Sequence, residues 1–343
     1  MSGLVLVYGA YGFTGELVAR QAIARGLSVV VAGRDSERLQ RVGSALGCEW
    51  RAFPLTDGES IRRGIRGAGA VVHCAGPFTE TAAPMAEACI DERIHYLDVT
   101  GEVSAIAALH ALGPIARAAG VMLLPAAGFD VVPSDCLAGH LVGRLPGACA
   151  LTLVIGGLDE VSRGTARTLL EQVRAAGRAA APPPRARTFD LGAGPVTAVE
   201  VPWADVFTAP RSTGVTTVKT YVVANVAARA ALRVLRQLAP LLERSSVREG
   251  LAALLARGVP GPAADRRERH RAVVWCEVTD PSGRRAAGVQ HTPDAYTFTA
   301  LAAAEVAVRV LHGDAPPGWQ TPSTAYGPDL VLAIPGVMRR DLE

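Results

Sequence analysis

Lysine is nearly absent from this chain of 343 residues. Lys219 is the single lysine, although lysine and arginine together number 35. Any mechanism that forms a Schiff base on a lysine must therefore use Lys219 or be discarded. The six cysteines form no Cys-x-x-Cys motif and no Cys/His pair at zinc spacing, which argues against a structural zinc site. Most of them lie in apolar segments, so we expect buried thiols in a reducing compartment.

Long apolar segments and strong charge are also missing. No apolar run approaches the roughly 20 residues of a transmembrane helix, and Met1, Ser2 and Gly3 lead directly into a strand pattern rather than a signal peptide. A formal net charge of +3 is too small to indicate nucleic-acid binding without a clustered basic face. We therefore expect a cytoplasmic protein without nucleic-acid or integral membrane partners, and a homodimer is one assembly open to it.

The composition is that of a folded protein with a substantial core. Hydrophobic residues make up 49% of the chain and charged residues 20%, the balance of a soluble globular protein. A chain of this length can bury enough apolar surface to fold without a metal or disulfide. At about 150 residues per domain, the length predicts two domains, or three.

Three glycines at regular spacing separate a predicted strand from a predicted helix at the start of the chain. Leu4–Tyr8 is an apolar run of strand length, and helical spacing follows over residues 16–25. Glycine in such a turn lets the backbone approach a pyrophosphate, whose charge the helix N-terminus then binds. A tight turn without a ligand is the alternative. The predicted nucleotide-binding loop comprises Gly9, Tyr11, Gly12, Phe13, Thr14 and Gly15.

The end of the second predicted strand, residues 27–32, bears on the choice between NAD and NADP. An acidic residue there favours the 2′-hydroxyl of NAD, whereas an arginine favours the 2′-phosphate of NADP. Both types are present, as Arg34 and Asp35. Because Asp35, or Ser36 beside it, can instead cap the following helix, the sequence favours NADPH as cofactor over NADH.

Strands and helices continue to alternate up to Leu124, which predicts a doubly wound parallel sheet, the Rossmann arrangement. Helices are predicted over residues 84–92 and 102–119, the second as one continuous element. Ligands bind at the carboxyl edge of such a sheet, so residues that follow its strands are assigned to the cofactor site. These further predicted contacts are Asp57, near the adenine, and Cys74, Ala75, Gly76, Pro77, Thr100, Gly101 and Phe129.

After Leu124 the pattern changes to that of an α+β substrate domain. Two strand-like runs, Arg271–Thr279 and residues 284–291, flank an Asp-Pro-Ser-Gly turn and predict a hairpin, hence a mixed or antiparallel sheet. A long alanine-rich helix, Ala295–Leu311, is expected to pack back on the first domain. The predicted domains are residues 1–127, 128–293 and 294–343, the last being the C-terminal helix and tail.

Smaller features of the second half also carry expectations. Ser134 or Asp135 is expected to cap a helix that runs to Leu145. The basic run at residues 266–271 is expected to be a solvated loop rather than an anion site. Further helices are predicted over residues 162–178, 228–242 and 247–257.

Short segments along nearly the whole chain carry a family resemblance: residues 9–15, 32–34, 74–78, 96–102, 128–135, 202–209, 212–214 and 321–330. They resemble the saccharopine dehydrogenase-like oxidoreductases, most closely the subgroup of trans-acting enoyl reductases. The resemblance implies a Rossmann domain, a substrate domain and NADPH as hydride donor. It places the family's phosphate loop on residues 9–15, its 2′-phosphate arginine on Arg34 and its nicotinamide-side loop on residues 75–77. Tyr11 departs from the family, whose members often have a smaller residue there.

Hydride transfer needs an electrophilic carbon held against the cofactor and a group that stabilises the charge that develops. A Tyr-x-x-x-Lys pair is excluded because Val215 stands four residues before Lys219. A hydroxyl would suit an enolate, and a carboxylate would suit an iminium ion. Asp130 and Glu102 are preferred because both follow strand ends on the ligand side. The predicted catalytic residues are Asp130, Glu102, Ser212 and Tyr296, with Thr165, Asp205, Tyr221 and Tyr326 as further candidates.

Each of these residues also has a structural alternative. Asp130, like Asp98, could only tie loops to backbone N–H groups, and Glu102 could be a charge in the first turn of a helix. Tyr296 could simply pack the long helix. His73 and His95 lie in predicted strands and are expected to be core histidines.

The sequence thus predicts an NADPH-dependent reductase of a conjugated C=C (enoyl), C=N or C=O bond in a small or acyl-type metabolite, either free or carrier-bound. Because some Rossmann domains bind nucleotides without turnover, a non-catalytic NADP(H)-binding sensor or partner protein is the alternative. A peripheral lipid-surface protein is a third hypothesis, suggested by the amphipathic stretch at residues 228–257.

Overall fold

The computed structural model describes residues 3–158, 185–192, 194–225 and 261–342. The predicted helices over residues 162–178, 228–242 and 247–257 lie outside these residues, as do the lipid-surface hypothesis built on them and Thr165. The described strands are β1 (Leu4–Tyr8), β2 (Ser28–Gly33), β3 (Glu49–Ala52), β4 (Ala70–His73), β5 (His95–Asp98), β6 (Met122–Leu124), β7 (Ala150–Gly156), β8 (Ala186–Asp190), β9 (Pro195–Glu200), β10 (Thr217–Val223), β11 (Arg271–Thr279), β12 (Arg285–Pro293), β13 (Gly318–Trp319) and β14 (Met338–Leu342).

The described helices are α1 (Phe13–Ala24), α2 (Ser36–Leu46), α3 (Gly58–Ile65), α4 (Phe78–Asp91), α5 (Val103–Ala111), α6 (Gly113–Ala119), α7 (Val132–Arg144), α8 (Asp205–Thr213), α9 (Ala264–Arg269), α10 (Ala295–Leu311) and α11 (Pro322–Tyr326).

The first sheet has seven parallel strands in the order β13-β6-β5-β4-β1-β2-β3. Its central strand β1 is apolar throughout because helices cover both faces. Val5 and Val7 pack in one core with α1 and α10, whereas Leu6 and Tyr8 point into the other core with α3, α4 and α5. Strands β2 and β3 lie on one side of β1 and strands β4, β5 and β6 on the other, so the strand order reverses at the pair β1–β4, which is the point where such sheets bind ligands. The predicted Rossmann sheet is confirmed.

Two helices of this domain differ from the prediction. The continuous helix expected over residues 102–119 is divided into α5 and α6, because Pro114 in the first turn of α6 has no N–H to continue the α5 ladder. Helix α4 begins at Phe78 rather than near Pro84. Its early start is stabilised by the Glu102 carboxylate, which accepts hydrogen bonds from the first N–H groups of the helix.

The second sheet is mixed, as predicted, in the order β14-β12-β11-β7-β10-β9-β8. Strands β7 and β10 are parallel, and the other neighbours are antiparallel. The predicted hairpin is β11–β12, in which Asp280 accepts hydrogen bonds from the backbone of Ser282 and Arg284 at the turn. Helix α7 packs against the hairpin and buries the apolar side chains of Leu137 and Leu141.

The last fifty residues contribute to both sheets. Helix α10 packs along α1, and the Arg25 guanidinium pairs with Glu305 across this contact. Strand β13 extends the first sheet, whereas β14 extends the second. The domain boundaries predicted at residues 128 and 294 remain a prediction. The C-terminal tail, however, adds a strand to each sheet, so it does not lie on the nucleotide-binding domain alone.

Two local expectations for the second half are wrong. Val131, not Ser134 or Asp135, is the N-cap of α7, and those two side chains lie buried inside its first turn. The basic run at residues 266–271 is not a loop, because it forms α9 and the first residue of β11. All six cysteines are free thiols.

Candidate active site

The glycine loop between β1 and α1 has no room for side chains. Gly9 has a φ of +83°, and its N–H donates to the Ala32 carbonyl at 2.7 Å. A Cβ on Gly9 would lie 2.9 Å from the Cβ of Ala75 at the end of β4, and a Cβ on Gly15 would lie 2.4 Å from the Gly9 carbonyl oxygen. The loop therefore exposes bare backbone where β1 and β4 meet, as close approach to a pyrophosphate requires.

The N-terminus of α1 opens from this loop. Gly12 is its N-cap, and no side chain in the described part of the protein accepts a hydrogen bond from the cap. The first helical residues, Phe13 and Thr14, thus have N–H groups at the positive end of the helix dipole. Glu16 follows in the first turn, where it is paired with Arg20 at 2.7 Å. This end of the helix fits a phosphate anion.

Two arginines lie at the end of β2, where the adenosine ribose of a dinucleotide would bind. Arg34 is exposed and forms no ion pair within the described residues. Arg38 lies 4.4 Å from the centre of the Tyr11 ring and donates to the Tyr11 carbonyl at 3.2 Å. The Asp35 carboxylate instead caps α2 by accepting from the Arg38 N–H at 3.1 Å. Two guanidinium groups without a carboxylate partner in the described residues, beside a carboxylate already used as a helix cap, favour a 2′-phosphate over a 2′-hydroxyl.

The segment after β4 forms the next wall of the site. Cys74 extends the β4–β1 ladder by donating to the Tyr8 carbonyl at 2.8 Å. Ala75 abuts the glycine loop, and the bond between Gly76 and Pro77 is cis. The Thr81 hydroxyl lies 2.7 Å from the Ala75 carbonyl oxygen and holds this segment in place. All four predicted cofactor residues here lie at the carboxyl edge of the sheet.

Asp98, at the end of β5, is a buried tie between loops. Its Oδ1 accepts from the N–H groups of Thr100 and Ala126 at 2.9 and 2.8 Å, and its Oδ2 accepts from the Tyr96 hydroxyl at 2.8 Å. Burial raises the pKa of this carboxyl to about 6. With its oxygens occupied, Asp98 orders the edge of the sheet.

Glu102 was a predicted catalytic residue, but its carboxylate is already engaged. Oε2 accepts from the Thr79 N–H at 2.8 Å, and Oε1 accepts from the Phe78 N–H at 3.2 Å. Both donors belong to the first turn of α4, whose positive end stabilises a negative charge. The structure thus gives Glu102 a positioning role between the β5 loop and α4.

Asp130 differs from these two carboxylates. Its side chain packs against the backbone of Gly101, where a Cβ would lie 2.9 Å from its Cγ, and no hydrogen bond to its carboxyl is formed within the described residues. Burial, together with the negative charges of Asp98 and Glu102, raises the pKa of Asp130 to about 7. This carboxyl can therefore hold a proton near neutral pH and release it to a bound molecule.

The start of α8, from the second domain, fixes the Asp130 loop. The Trp203 indole N–H donates to the Asp130 carbonyl oxygen at 2.7 Å. Two residues on, Asp205 Oδ2 lies 3.0 Å from the Ser134 hydroxyl, which is also 3.0 Å from the Val131 carbonyl oxygen. Burial raises the pKa of Asp205 well above its usual range, and its carboxyl ties the start of α8 to the first turn of α7.

The remaining predicted catalytic residues lie apart from Asp130. Ser212 is in the last turn of α8, where its hydroxyl lies 3.4 Å from the Ala209 carbonyl of the same helix. Tyr296 lies at the start of α10, and its ring packs edge-on against Phe13 at 5.1 Å. The structure thus brings Tyr296 to the phosphate loop, whereas Ser212 stays with its own helix.

Two predicted cofactor residues make structural contacts, and their contact with the cofactor stays a prediction. Asp57 caps α3 by accepting from the Glu59 and Ser60 N–H groups at 3.2 and 3.1 Å. Phe129 is buried, with its ring edge-on to Phe298 at 5.9 Å and its N–H bonded to Thr299. Thr100 is also buried, while Gly101 lies against Asp130.

The two histidines lie in the core, as predicted. His95 accepts from the Met122 N–H at 3.1 Å. His73 contacts the Thr81 hydroxyl at 3.0 Å, and burial lowers its pKa to about 3. Tyr221, another hydroxyl candidate, packs in the apolar core of the second sheet. The hydroxyl of Tyr326, the last candidate, donates to the Asp314 carbonyl oxygen.

Sequence reasoning missed Arg38 and Trp203. Arg38 stands three residues after the capping Asp35, so its position one turn into α2 was a usable signal. Trp203 belongs to a segment that carried the family resemblance, but its contact with residue 130 spans 73 positions and depends on the tertiary fold.

None of the described helices is long and apolar enough to cross a membrane. No group of three or more His, Cys, Asp or Glu side chains in that part of the chain could hold a metal ion.

Comparisons with known proteins agree with the nucleotide site. Residues 5–124 match the family described as saccharopine dehydrogenase NADP binding domain. A trans-acting enoyl reductase of Mycobacterium leprae is 34% identical over 152 residues, which are 41% of this chain and 36% of that protein. A protein of the same name from Mycobacterium bovis is 30% identical over 214 residues, 56% of this chain and 50% of the relative. The chain thus spans half or less of the length of these relatives.

A solved structure extends the fold comparison to the whole chain. Apo saccharopine dehydrogenase (L-Glu forming) from Saccharomyces cerevisiae superposes with a TM-score of 0.66 at 12% identity, covering 99% of this chain and 100% of that one. At this identity the match supports the fold alone, and it agrees with both sheets described above. The predicted resemblance is confirmed: residues 5–124 are similar to a saccharopine dehydrogenase NADP-binding domain, which supports the predicted NADP cofactor.

Proposed function

We propose that the chain is an NADPH-dependent reductase that adds a hydride and a proton across a conjugated C=C bond of an acyl-type metabolite. The observation that carries the proposal is Asp130. It is a carboxyl with a pKa of about 7 that has no hydrogen-bond partner in the described residues and lies at the ligand edge of an NADP-binding sheet.

The residues present fit the cofactor. The glycine loop leaves bare backbone at the end of β1, the N-terminus of α1 has no side-chain cap in the described residues, and Arg34 and Arg38 stand at the ribose end. Bound NADPH supplies the hydride. Residues 75–77 would hold the nicotinamide end, and Trp203 fixes the Asp130 loop through its indole N–H.

Asp130 is the proposed proton donor. Hydride addition to the β-carbon of a conjugated thioester or ketone leaves a negative enolate, which needs a proton at the α-carbon. The neutral Asp130 carboxylic acid gives this proton from its carboxyl oxygen and becomes a carboxylate, which solvent then reprotonates because the side chain is partly exposed. A neutral acid stabilises an iminium cation poorly, so the raised pKa favours C=C or C=O over C=N reduction.

The relatives named trans-acting enoyl reductases support an enoyl substrate, and the words of that name support one delivered by a separate protein. We therefore propose an acyl chain held as a thioester on a carrier as the substrate class. A cytoplasmic location and a homodimer remain predictions.

The experiment is NADPH oxidation followed by absorbance with a matched panel of enoyl thioesters, ketones and imines. We expect turnover with enoyl thioesters by wild-type protein and a loss of 10²- to 10⁴-fold in kcat in Asp130→Asn, the usual contribution of a general acid. Asp314→Asn, an exposed carboxylate, is the matched control and should leave kcat unchanged. Tight NADPH binding with no oxidation of any class would instead favour the sensor.

A further inference from the structure

Three segments from the second half of the chain meet over the phosphate loop of the first domain. The Phe13 ring, at the first residue of α1, lies 5.1 Å from the Tyr296 ring and 5.6 Å from the Arg267 guanidinium carbon. It also touches Gly261, where a Cβ would lie 2.6 Å from the ring. A side chain of the nucleotide-binding loop is therefore covered by α9 and α10.

Among the side chains of α9 and α10 that lie over Phe13, Arg267 carries a charge but has no charged partner in the described part of the chain. Its Nε is buried and makes no hydrogen bond, and its Nη1 reaches only the Thr297 hydroxyl at 3.5 Å. It forms no ion pair within the described residues. Arg269, on the same short helix, is by contrast exposed and pairs with Asp265 at 2.6 Å. The buried Nε has lost water without gaining a hydrogen bond, which is costly, so an anion beside it would stabilise this half-buried side chain.

The cleft beside Arg267 has both charged and apolar residues in its lining. Arg266, His270 and Asp294 line it along with Arg267. The Asp294 carboxylate uses Oδ1 to cap α10, and its Oδ2 is buried without a hydrogen-bond partner. Asp294 and Arg267 form no ion pair within the described residues, so this carboxylate does not provide the guanidinium with a counter-charge.

We propose that Arg267 binds a phosphate group at the N-terminus of α1. The inference rests on the proposed function, because the phosphate that this position fits first is the pyrophosphate of the bound dinucleotide. A phosphate at this end of α1 would gain N–H groups from the first domain and a guanidinium from the second. The phosphate on the 4′-phosphopantetheine arm of a carrier protein has the same chemistry, and it is the other candidate for the phosphate group bound at Arg267.

The experiment is calorimetric titration of Arg267→Ala with NADPH, NADH and 4′-phosphopantetheine. NADPH and NADH share the pyrophosphate, so we expect both Kd values to rise by the same factor, about tenfold to a hundredfold. Arg34→Ala should instead weaken NADPH selectively. Arg267→Lys should recover part of the loss, and Arg269→Ala should bind like wild type, while circular dichroism confirms folding of each variant.

The outcomes separate this inference from the proposed function. Weaker binding of 4′-phosphopantetheine alone would support the phosphate site and assign it to the substrate arm. Unchanged Kd values for all three probes in Arg267→Ala, with wild type binding NADPH, would overturn the role of Arg267 and leave the reductase in place. Wild-type protein that binds neither nucleotide would overturn both.

Discussion

Asp130 is the residue on which the proposed chemistry depends, because its environment separates it from its neighbours. Asp98 and Glu102 share the same edge of the sheet, but backbone N–H groups occupy their oxygens. Asp130 packs against Gly101 without such donors in the described residues, so burial acts on it uncompensated. One carboxyl of three is thereby left to hold a proton.

The pH dependence of turnover follows from this pKa. A proton donor works only while protonated, so kcat should be level below pH 7 and fall tenfold per pH unit above it, since the pKa of Asp130 is raised to about 7. Initial rates at saturating NADPH and substrate between pH 5 and 9 measure the profile. Residual activity in Asp130→Asn should lack this fall, and a variant that kept it would assign the titration to another group.

Cofactor selectivity is a second property of single residues. Arg34→Ala removes a guanidinium from the ribose end and should raise the Kd of NADPH about tenfold to a hundredfold, with little effect on NADH. Fluorescence titration with both nucleotides measures the ratio. Arg41→Ala, an exposed arginine on α2, is the control. Equal weakening of NADPH and NADH by Arg34→Ala would show that Arg34 does not read the 2′-phosphate.

At the scale of elements, the glycine loop and α1 behave as one unit. Gly15→Ala would place a Cβ 2.4 Å from the Gly9 carbonyl oxygen, so the backbone must move. We expect a loss of stability of about 1–3 kcal/mol and loss of nucleotide binding. Gly143→Ala in α7 meets nothing within 4 Å and should stabilise by about 0.5–1 kcal/mol. Denaturant unfolding compares the two, and a neutral Gly15→Ala would contradict the close packing.

The helices and strands also differ in how well the sequence alone predicts them. The parallel strands and the β11–β12 hairpin were predictable because their signals are local, namely apolar runs and turn residues. The division between α5 and α6 was readable too, because it depends on Pro114. The start of α4 was not, since it depends on Glu102, which is distant in sequence.

The residues of the candidate site were likewise predictable only in part. Loop residues that follow strands could be assigned to the cofactor edge, but whether a carboxylate is free or capped depends on tertiary contacts. Asp130 and Glu102 had equal standing in the sequence, and only the folded neighbours distinguish them. Arg267 belonged to a run whose charges suggested solvent, and its burial against Phe13 has no local signal.

At the scale of the whole molecule, proton uptake at the site couples to stability. Burial raises the pKa of Asp130 to about 7 from an ordinary 3.8, so the folded state binds a proton that the unfolded state releases between those values. The stability that this group contributes is therefore full below pH 4 and is lost as the pH rises through 7. The charged form of Asp130, which proton donation produces in each turnover, is therefore the less stable one.

Asp130→Asn should accordingly gain stability over wild type as the pH rises. Between pH 5 and 8 we expect the difference in free energy of unfolding to move by on the order of 2 kcal/mol in favour of the variant. Tm values at both pH values measure it, with Asp314→Asn as the exposed control. A difference that is the same at both pH values would show that Asp130 does not titrate in this range.

In the proposed reaction a hydride from NADPH and a proton add across one C=C bond, and isotope labelling tests this most directly. Wild-type protein would be mixed with NADPH carrying deuterium at the transferable position of the nicotinamide and with an enoyl thioester, and the saturated product analysed by mass spectrometry. The account predicts one deuterium from NADPH at the β-carbon and one solvent hydrogen at the α-carbon, with product formation strongly reduced in Asp130→Asn. Product without label from NADPH, or bound NADPH that never yields product, would contradict the reductase.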